Sequence, residues 1–338
     1  MVRIAIDMMG SDLGAGELSK GVINFLKQNN DVFFYLVGNQ KELIELFKNQ
    51  DNSRYEIVNA EKTLPMEIKP LDFLRAKTSS QYIAIQLVKE GKADAVISAG
   101  STGGLVTGAS LLLKNIDGVS RGGIISPFPT SKFGKATVIL DIGANNTNTP
   151  EDLYGFAKMG RLYAKEILNM ENPSTYLLSN GTEEGKGTNE IVETYKLLKD
   201  RDFPNFKGNA EARNILDGNH DIIVTPGFNG NILLKSIEGT ASMMNNMIKD
   251  AFKTNLITKI GYLFSRKGFK NMKATMDYRK YGGAIFMGVN GVVIKAHGNS
   301  NAYAFYYGLD VAYKMVKSDI VNKIRKEFEE VSNESKAQ

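Results

Sequence analysis

Short apolar stretches alternate with amphipathic stretches along almost the whole chain. Segments such as ELSKGVINFLKQ and NEIVETYKLLK repeat apolar residues every three or four positions, as helices with one buried face do. The intervening apolar, often β-branched stretches predict strands, and they are VRIAID, VFFYLVG, YEIVNA, ADAVISAG, ATVILDIGAN, TYLLSNG, NFKGN, HDIIVTPG and NGVVIKAHG. This alternation predicts a three-layer α/β/α fold, with a largely parallel sheet covered by helices on both faces.

The same pattern indicates how the chain is divided. No internal repeat or low-complexity linker interrupts the 338 residues, so we expect a single α/β unit over residues 1–334, or two lobes that share one sheet. Apolar residues at helical spacing over residues 236–276, with a turn near Thr254-Asn255, predict a protruding helical hairpin inserted in this unit. The polar residues 329–338 predict a frayed tail.

Composition excludes several classes of chemistry. The chain has no cysteine, which excludes disulfides, thiolate metal sites and an acyl-cysteine intermediate, and fits a reducing compartment. No run of about 18 apolar residues exists that would span a membrane. The first residues, MVRIAIDMMG, are too short an apolar run for a signal peptide and predict a buried strand. We therefore expect a cytoplasmic protein.

The net charge of +5 is concentrated in one segment. Between Lys235 and Lys273 the chain has eight basic and two acidic residues, which is +6, so the remainder is about neutral. One local basic patch indicates an acidic partner at one place rather than nucleic acid. The hairpin either packs on the core or at a dimer interface, or it presents its tip to an anionic membrane surface or an acidic carrier protein. The contact residues in the second case are Leu263, Phe264, Arg266, Lys267 and Lys270.

Polar, glycine-bearing turns follow six of the predicted strands. They are DMMGSD (7–12), SAGSTGG (98–104), DIGANNTN (141–148), SNGTEEGKG (179–187), TPGFNGN (225–231) and KAHGNS (295–300). In an open parallel sheet all these ends lie along one edge, where ligands bind. Glycine lets backbone N–H groups approach an anion closely, and the helix that follows adds positive potential. The six turns together therefore predict an anion-binding site at one edge of the sheet.

Three side chains in these turns are candidate catalytic residues. Lys186 lies between two glycines and after two acids, His297 follows a buried strand, and Asn231 can donate neutral hydrogen bonds. Candidate substrate-binding residues are Asp7, Gly10, Asp12, Gly100, Ser101, Thr102, Gly103, Asp141, Gly143, Asn145, Glu183, Glu184, Gly227, Asn229 and Lys235. Each has a structural alternative, in which glycines form turns, Asp7 and Asp141 brace loops, Lys186 is merely solvated and His297 is structural. The second histidine, His220, is predicted to lie at the surface.

Neither a P-loop pattern nor a GxGxxG after the first strand occurs, and no metal-ligating cluster is evident. The sequence therefore predicts no cofactor and no metal, and it favours neither an NTPase nor a standard dinucleotide site.

A series of longer blocks resembles one protein family. The blocks AIDMMGSD, ISAGSTGGL, LDIGAN, NGTEEGKGT, FKGNAEAR, IIVTPGFNGNILLKSIEG and MDYRKYGGAIFMGVNGVVIKAHGNS resemble, in this order, those of the PlsX-type phosphate acyltransferases of bacterial phospholipid synthesis. Ser11 and Ser101 stand where that family usually has glycine and asparagine. The resemblance implies a fold similar to isocitrate and isopropylmalate dehydrogenases and to phosphotransacetylase. It also implies transfer of a long-chain acyl group from acyl carrier protein to inorganic phosphate, giving acyl phosphate.

The resemblance implies partners as well. They are acyl carrier protein, inorganic phosphate, a second copy of the chain in a homodimer, the inner face of the cell membrane as a peripheral contact, and a downstream glycerol-3-phosphate acyltransferase. No nucleic acid is expected.

Direct attack by phosphate is the simplest mechanism, because the chain lacks cysteine and an evident serine nucleophile elbow. In this hypothesis Lys186 and the turns at 100–104 and 143–145 hold phosphate and the oxyanion. His297 protonates the departing sulfur or orients phosphate, while one of Glu183 and Glu184 orients Lys186 and the other caps the following helix. Three alternatives stay open: a phosphotransacetylase that uses acyl-coenzyme A, a dehydrogenase, and a non-catalytic membrane scaffold. The lack of clustered aspartates and of a nucleotide fingerprint counts against the dehydrogenase.

Overall fold

The computed structural model describes residues 1–65, 67–275 and 278–334. Within this part eleven strands form one sheet, flanked by helices. The strands are β1 (Val2–Asp7), β2 (Val32–Gly38), β3 (Tyr55–Asn59), β4 (Ala95–Ser98), β5 (Gly123–Pro129), β6 (Ala136–Leu140), β7 (Thr175–Ser179), β8 (Phe206–Glu211), β9 (Ile222–Val224), β10 (Ala284–Met287) and β11 (Val292–Lys295). The helices are α1 (Gly14–Gln28), α2 (Gln40–Phe47), α3 (Pro70–Arg75), α4 (Ser80–Lys89), α5 (Thr102–Gly108), α6 (Pro150–Glu166), α7 (Asn189–Asp200), α8 (Gly227–Lys253), α9 (Leu256–Thr275), α10 (Ala302–Lys317) and α11 (Ile320–Glu334).

Strand direction reverses in the middle of the sheet, whose order is β3-β2-β1-β4-β11-β10-β5-β6-β9-β7-β8. The first five strands in this order are mutually parallel, and so are the last four. Between them, β10 is antiparallel to both β11 and β5, and β5 is antiparallel to β6. The two parallel groups therefore run in opposite directions, and their carboxyl ends lie at opposite edges of the sheet.

This reversal corrects the prediction of a single ligand-binding edge. The turns at 7–12, 98–104 and 295–300 follow β1, β4 and β11 and form what we call the upper edge. The turns at 141–148, 179–187 and 225–231 follow β6, β7 and β9 and form the lower edge. The prediction failed because β5 and β10, the two strands that reverse the sheet, were not identified from the sequence.

Each face of the sheet buries its own apolar cluster, because successive side chains of a strand point to opposite faces. On β1, Ile4 and Ile6 belong to one cluster and Ala5 to the other. The first cluster includes residues of α1, α2, α6, α7, α10 and α11, and the second includes residues of α3, α4 and α5. The helical layers on both faces confirm the predicted α/β/α architecture.

Local signals set the helix boundaries. Thr149 and Asp152 form a reciprocal capping box at the start of α6, with Pro150 at the first helical position. The last two described helices, α10 and α11, are divided at Asp319, whose φ of 55° is left-handed. Because α11 continues to Glu334, helix covers residues 329–334 of the predicted frayed tail, and residues 335–338 lie outside the described residues.

Helices α8 and α9 contact each other and cover the segment predicted as a hairpin, with α8 beginning at Gly227, before residue 236. Its turn is capped reciprocally, because Asn255 Oδ1 accepts from the Thr258 N–H at 2.9 Å and Thr258 Oγ1 accepts from the Asn255 N–H at 3.1 Å. The rings of Phe252, Tyr262 and Phe269 pack against one another, with centroids 5.0 to 5.8 Å apart. Throughout the described residues, we find no helix with the length and apolarity needed to span a membrane.

Candidate active site

A row of three polar side chains crosses the upper edge. Asp7, Ser98 and Lys295 are register partners at the ends of the parallel strands β1, β4 and β11, so their side chains lie on the same face. Ser98 Oγ donates to Asp7 Oδ2 at 2.7 Å and accepts from the Gly100 N–H at 3.0 Å and from Gln81 Nε2 at 2.9 Å. Asp7 and Ser98 are buried, whereas Lys295 is partly exposed at the rim. The row thus joins a buried carboxylate to a cation that can meet solvent.

Lys295 was not identified from the sequence as a site residue. Its Nζ donates to the carbonyl oxygens of Ala296 and, at 3.5 Å, of Ala99, so its side chain reaches from β11 to the turn after β4. Burial lowers the pKa of Lys295 to about 8, against the opposing effect of the carboxylates of Asp7 and Asp12, which raise it. The signal in the sequence was a single lysine ending the apolar stretch GVVI, two residues before His297.

The upper-edge turns are in close contact with one another. A Cβ on Gly10 would come 2.6 Å from the Gly100 Cα and 2.7 Å from Asp7 Oδ2, so the close approach of the two turns requires glycine at position 10. The Asp12 N–H donates to the Gly298 carbonyl oxygen at 2.9 Å, and a Cβ on Gly298 would meet the Asp12 carboxylate at 2.6 Å. The predicted grouping of these three turns is therefore found in the structure.

Ser101 and Thr102 have different positions at the start of α5. Ser101 is buried, and its Oγ accepts from the Gly104 N–H at 3.0 Å as the helix cap, so its hydroxyl does not face an open site. Thr102 and Gly103, by contrast, are exposed. Ser101 therefore has a structural role as helix cap, and its role as a substrate donor stays a prediction, while Thr102 and Gly103 are the accessible residues of this turn.

His297 lies exposed beside this cluster. Its Nδ1 accepts from the Asn299 backbone N–H at 3.4 Å, which favours a proton on Nε2, the nitrogen that can meet a ligand. His220 differs, because its Nδ1 contacts Asp217 Oδ1 at 3.2 Å and its ring packs edge-on against Tyr176. His220 therefore braces the loop before β9 and is largely buried, not at the surface as predicted.

An open groove of about 660 Å³ is lined by the segment between β3 and α4, including α3. The described residues that line it are Lys62, Thr63, Leu64, Pro65, Glu67, Ile68, Lys69, Asp72, Arg75, Ala76, Thr78 and Ser79. Leu64 approaches α5, since a Cβ on Gly104 would lie 3.1 Å from its Cδ1. The volume falls within the range of small-molecule sites, roughly 300 to 1,000 Å³.

At the lower edge, Asp141 organises the turn after β6. Its buried carboxylate accepts five hydrogen bonds, from the N–H groups of Ile124, Gly143, Ala144 and Asn145 and from Asn145 Nδ2, all at 2.9 to 3.0 Å. Asn145 Nδ2 also donates to the Gly122 carbonyl oxygen at 2.8 Å. The bracing alternative is therefore correct for Asp141, and the Asn145 amide is occupied by protein rather than available to substrate.

The turn after β9 packs directly on this structure. A Cβ on Gly227 would lie 2.3 Å from the Asn145 carbonyl oxygen, and one on Gly143 would lie 3.2 Å from the Asn231 side chain. Asn231 and Asn229 are exposed in the first turn of α8. Lys235 lies one turn after Asn231 on α8, where residues four apart are neighbours, and its Nζ pairs with Glu238 at 2.8 Å. Its predicted role in substrate binding stays a prediction.

Lys186 lies exposed in the third turn of the lower edge. Asn209, on the neighbouring strand β8, stabilises the turn, because its Nδ2 donates to the Glu183 carbonyl oxygen at 2.8 Å. Glu184 pairs with Lys199 at 3.1 Å, and the start of α7 has no side-chain cap. Neither acid therefore caps α7 by a side-chain hydrogen bond, contrary to the prediction. Glu183 and Lys186 both lie close to Gly181, since a Cβ there would come 2.7 Å from Glu183 Oε2 and 2.9 Å from Lys186 Cγ, and the orientation of Lys186 by an acid stays a prediction.

The structure thus divides the candidates into two groups. Asp7, Gly10, Asp12, the 100–103 turn and His297 lie at the upper edge, and Lys186, Asn231 and the 141–145 turn lie at the lower edge. Strands β11 and β6 are three positions apart in the sheet, so strand spacing and length separate the edges by roughly 20 Å.

In the described part of the chain, no group of three or more acidic or histidine side chains is arranged to hold a metal ion.

Solved structures with the same architecture define the class of fold. A phosphotransacetylase from Streptococcus pyogenes superposes with a TM-score of 0.60 at 16% identity, covering 95% of this chain and 94% of that one. A branched-chain phosphotransacylase from Enterococcus faecalis gives a TM-score of 0.55 at 14% identity, covering 94% and 99% of the two chains. At such identities the likeness shows the fold alone, which is that of the phosphotransacetylases.

Sequence relatives define the family. The model of the family described as "Fatty acid synthesis protein" matches residues 2–323. The phosphate acyltransferase of Pseudothermotoga lettingae is 42% identical over 333 residues, 98% of each chain, and that of Mycoplasma capricolum is 38% identical over 328 residues, 96% of this chain and 98% of the relative. The chain belongs to this family of phosphate acyltransferases, and it is an acyltransferase, which leaves the non-catalytic scaffold hypothesis without support.

Proposed function

We propose that this enzyme transfers a long-chain acyl group from acyl carrier protein to inorganic phosphate, for phospholipid synthesis. The supporting observation is the upper edge, where three strand ends and the turns after them carry Lys295, His297 and the exposed residues Thr102 and Gly103, near the groove lined by Leu64. These groups suit a reaction in which an anion attacks a thioester, because both phosphate and the tetrahedral oxyanion need donors and positive charge.

Positioning is the main task of such a site. Phosphate is already an anionic nucleophile near neutral pH, so holding it against the carbonyl carbon supplies much of the rate without a strong base. Asp7 and Ser98 hold the turns by accepting from the Met9 N–H at 3.1 Å and the Gly100 N–H at 3.0 Å. In this proposal Thr102 and Gly103 donate backbone N–H groups to the oxyanion, and His297 contacts phosphate or the leaving group.

Lys186 and Asn231 remain proposed catalytic residues, and their place at the other edge makes the homodimer important. A two-fold dimer could set the lower edge of one copy against the upper edge of the other, and the exposed Met243, Met244 and Met247 of α8 offer apolar surface for such a contact. Mixing Lys186→Ala protein with His297→Gln protein tests this arrangement. Recovery of activity in the mixture would support a site shared between copies, and no recovery despite subunit exchange would contradict it.

The hairpin tip is the proposed contact with membrane or carrier protein. Leu263 and Phe264 are 66% and 87% exposed, and so are Leu256 and Ile257 beside the turn, at 72% and 80%, whereas Phe252 and Phe269 pack inside the hairpin. Exposed basic residues stand beside it, namely Arg266, Lys267 and Lys270. An apolar tip flanked by cations fits an anionic membrane surface, where each cation adds about 1 kcal/mol.

Direct detection of the product is the deciding experiment. Purified protein is incubated with long-chain acyl carrier protein and phosphate, and acyl phosphate is measured by mass spectrometry, with acyl-coenzyme A as the competing donor. Acyl phosphate from the carrier-protein substrate is expected. Preference for acyl-coenzyme A would instead favour a phosphotransacetylase-like enzyme, and NAD(P)H formation from hydroxy acids would revive the dehydrogenase alternative.

A further inference from the structure

The upper edge contains one positively charged side chain, Lys295, to which the mechanism above assigns no chemical step. Among its three turns, Lys295 is the only lysine or arginine. It is held by two backbone carbonyl oxygens, and within the described residues it forms no ion pair with a carboxylate. An ammonium group has three N–H donors, so one remains to be directed towards a ligand at the rim.

We propose that Lys295 is the acid that gives its proton to the sulfur leaving group. This inference rests on the proposed acyl transfer and adds to it a catalytic residue. A phosphate oxygen attacks the thioester carbonyl carbon, and a carbon–oxygen bond forms. The carbon–sulfur bond then breaks, its electron pair moves to sulfur, and the proton on Lys295 Nζ joins the sulfur to give a free thiol. The neutral amine regains its proton from solvent.

The surroundings of Lys295 suit this role. The charged groups that face it are Asp7, from β1, and Asp12, from the turn that follows, with His297 two residues away on its own segment. Its neighbouring strands β4 and β10 have no charged residue, and the first turn of α10 has no acidic one. Burial lowers the pKa of Lys295 and the two carboxylates raise it, which leaves it at about 8, close to the value of about 8.5 for a cysteine thiol. Such a match favours proton transfer near neutral pH.

A substrate whose leaving group needs no proton distinguishes a proton-donating role of Lys295 from a purely structural one. Two small donors are compared with phosphate as acceptor: an S-acyl pantetheine, whose alkyl thiolate is a poor leaving group, and an S-acyl thiophenol, whose aryl thiolate departs unprotonated. The informative variant is Lys295→Arg, which keeps the positive charge beside Asp7 but cannot release its proton. Lys295→Met provides a second, uncharged variant, and thermal melting verifies that each is folded.

For Lys295→Arg we expect turnover of the pantetheine thioester to fall at least about hundredfold, while turnover of the thiophenol thioester stays within about threefold of wild type. The wild-type rate on the pantetheine thioester should decline above about pH 8, and Asp7→Asn should shift this decline to lower pH, because Asp7 raises the pKa of Lys295. The His297→Gln variant, assayed on the same two thioesters, tests His297 as the proton donor in place of Lys295.

Equal losses on both thioesters, an active Lys295→Arg variant, or a thioester-selective loss in His297→Gln instead would overturn the role of Lys295 alone. If wild-type protein accepts neither small thioester, the Lys295→Arg comparison and the decline above about pH 8 are measured on long-chain acyl carrier protein, where an unchanged rate in Lys295→Arg overturns the role of Lys295 alone. If wild-type protein forms no acyl phosphate from that donor either, the proposed function and the role of Lys295 are both refuted.

Discussion

Replacing Asp141 by asparagine should destabilise the lower edge by a predictable amount. The carboxylate is fully buried and accepts three hydrogen bonds at Oδ1 and two at Oδ2. An asparagine with its oxygen in the Oδ1 position keeps three of these bonds and sets an NH₂ group against the two donors of Asn145. Two hydrogen bonds to a charged group are then lost, each contributing about 1.5 to 3 kcal/mol, for a total of about 3 to 6 kcal/mol.

The loss should be visible as a lower melting temperature. An unfolding entropy of about 2.1 cal/mol/K per residue gives about 0.7 kcal/mol/K for the whole chain, so the midpoint should fall by roughly 4 to 8 °C. Differential scanning calorimetry measures this shift. Asp250→Asn is the matched control, because Asp250 is exposed on α8 and its substitution should change stability by less than about 0.5 kcal/mol.

A midpoint for Asp141→Asn within about 1 °C of wild type would refute the reasoning, because the two lost hydrogen bonds would then contribute far less than about 3 kcal/mol to the free energy of unfolding. A fall equal to that of Asp250→Asn would lead to the same conclusion.

Four further outcomes are expected. Lys186→Ala should lower acyl-phosphate formation at least about tenfold with an unchanged melting temperature, and normal turnover would remove Lys186 from the proposed site. His297→Gln should impair turnover more than His220→Gln, whose larger effect should be on stability through the lost Asp217 contact; equal small effects on turnover would make both histidines structural. Light scattering at micromolar concentration should give the mass of a homodimer, and a monomer mass would contradict the proposed assembly. Wild-type protein should float with anionic liposomes more than Leu263→Glu/Phe264→Glu protein does, more weakly as salt rises, and equal flotation would exclude the hairpin tip as the lipid contact.

The sequence by itself determined the architecture and most of the elements. Apolar periodicity identified nine of the eleven strands and the helical hairpin, because buried strands and amphipathic helices leave local patterns that need no knowledge of distant contacts. It also indicated which turns matter, since glycine and polar residues after a strand mark a place where backbone must bend or approach a neighbour closely. Gly10 and Gly227 are such places, and the structure shows contacts there that a Cβ would prevent.

Strand direction was decided only by the tertiary structure. Strand β5 contains Pro127 and Pro129, which disfavour a strand prediction, and β10 is a short stretch within a longer apolar run. Both pair antiparallel with distant segments, and a local pattern holds no information on which way a strand will run beside its neighbour. For that reason the sequence placed Lys186 and His297 at one edge, whereas the fold separates them.

The role of individual side chains also depended on contacts far along the chain. Asp7 and Lys295 are separated by most of the sequence, and only the register of β1, β4 and β11 places them in one row with Ser98. Likewise, Ser101 and Asn145 have the polar groups that a substrate donor needs, but the fold commits Ser101 to the Gly104 N–H and Asn145 to Gly122 and Asp141. A sequence shows which groups could bind a ligand, and tertiary hydrogen bonds decide which of them are still available to do so.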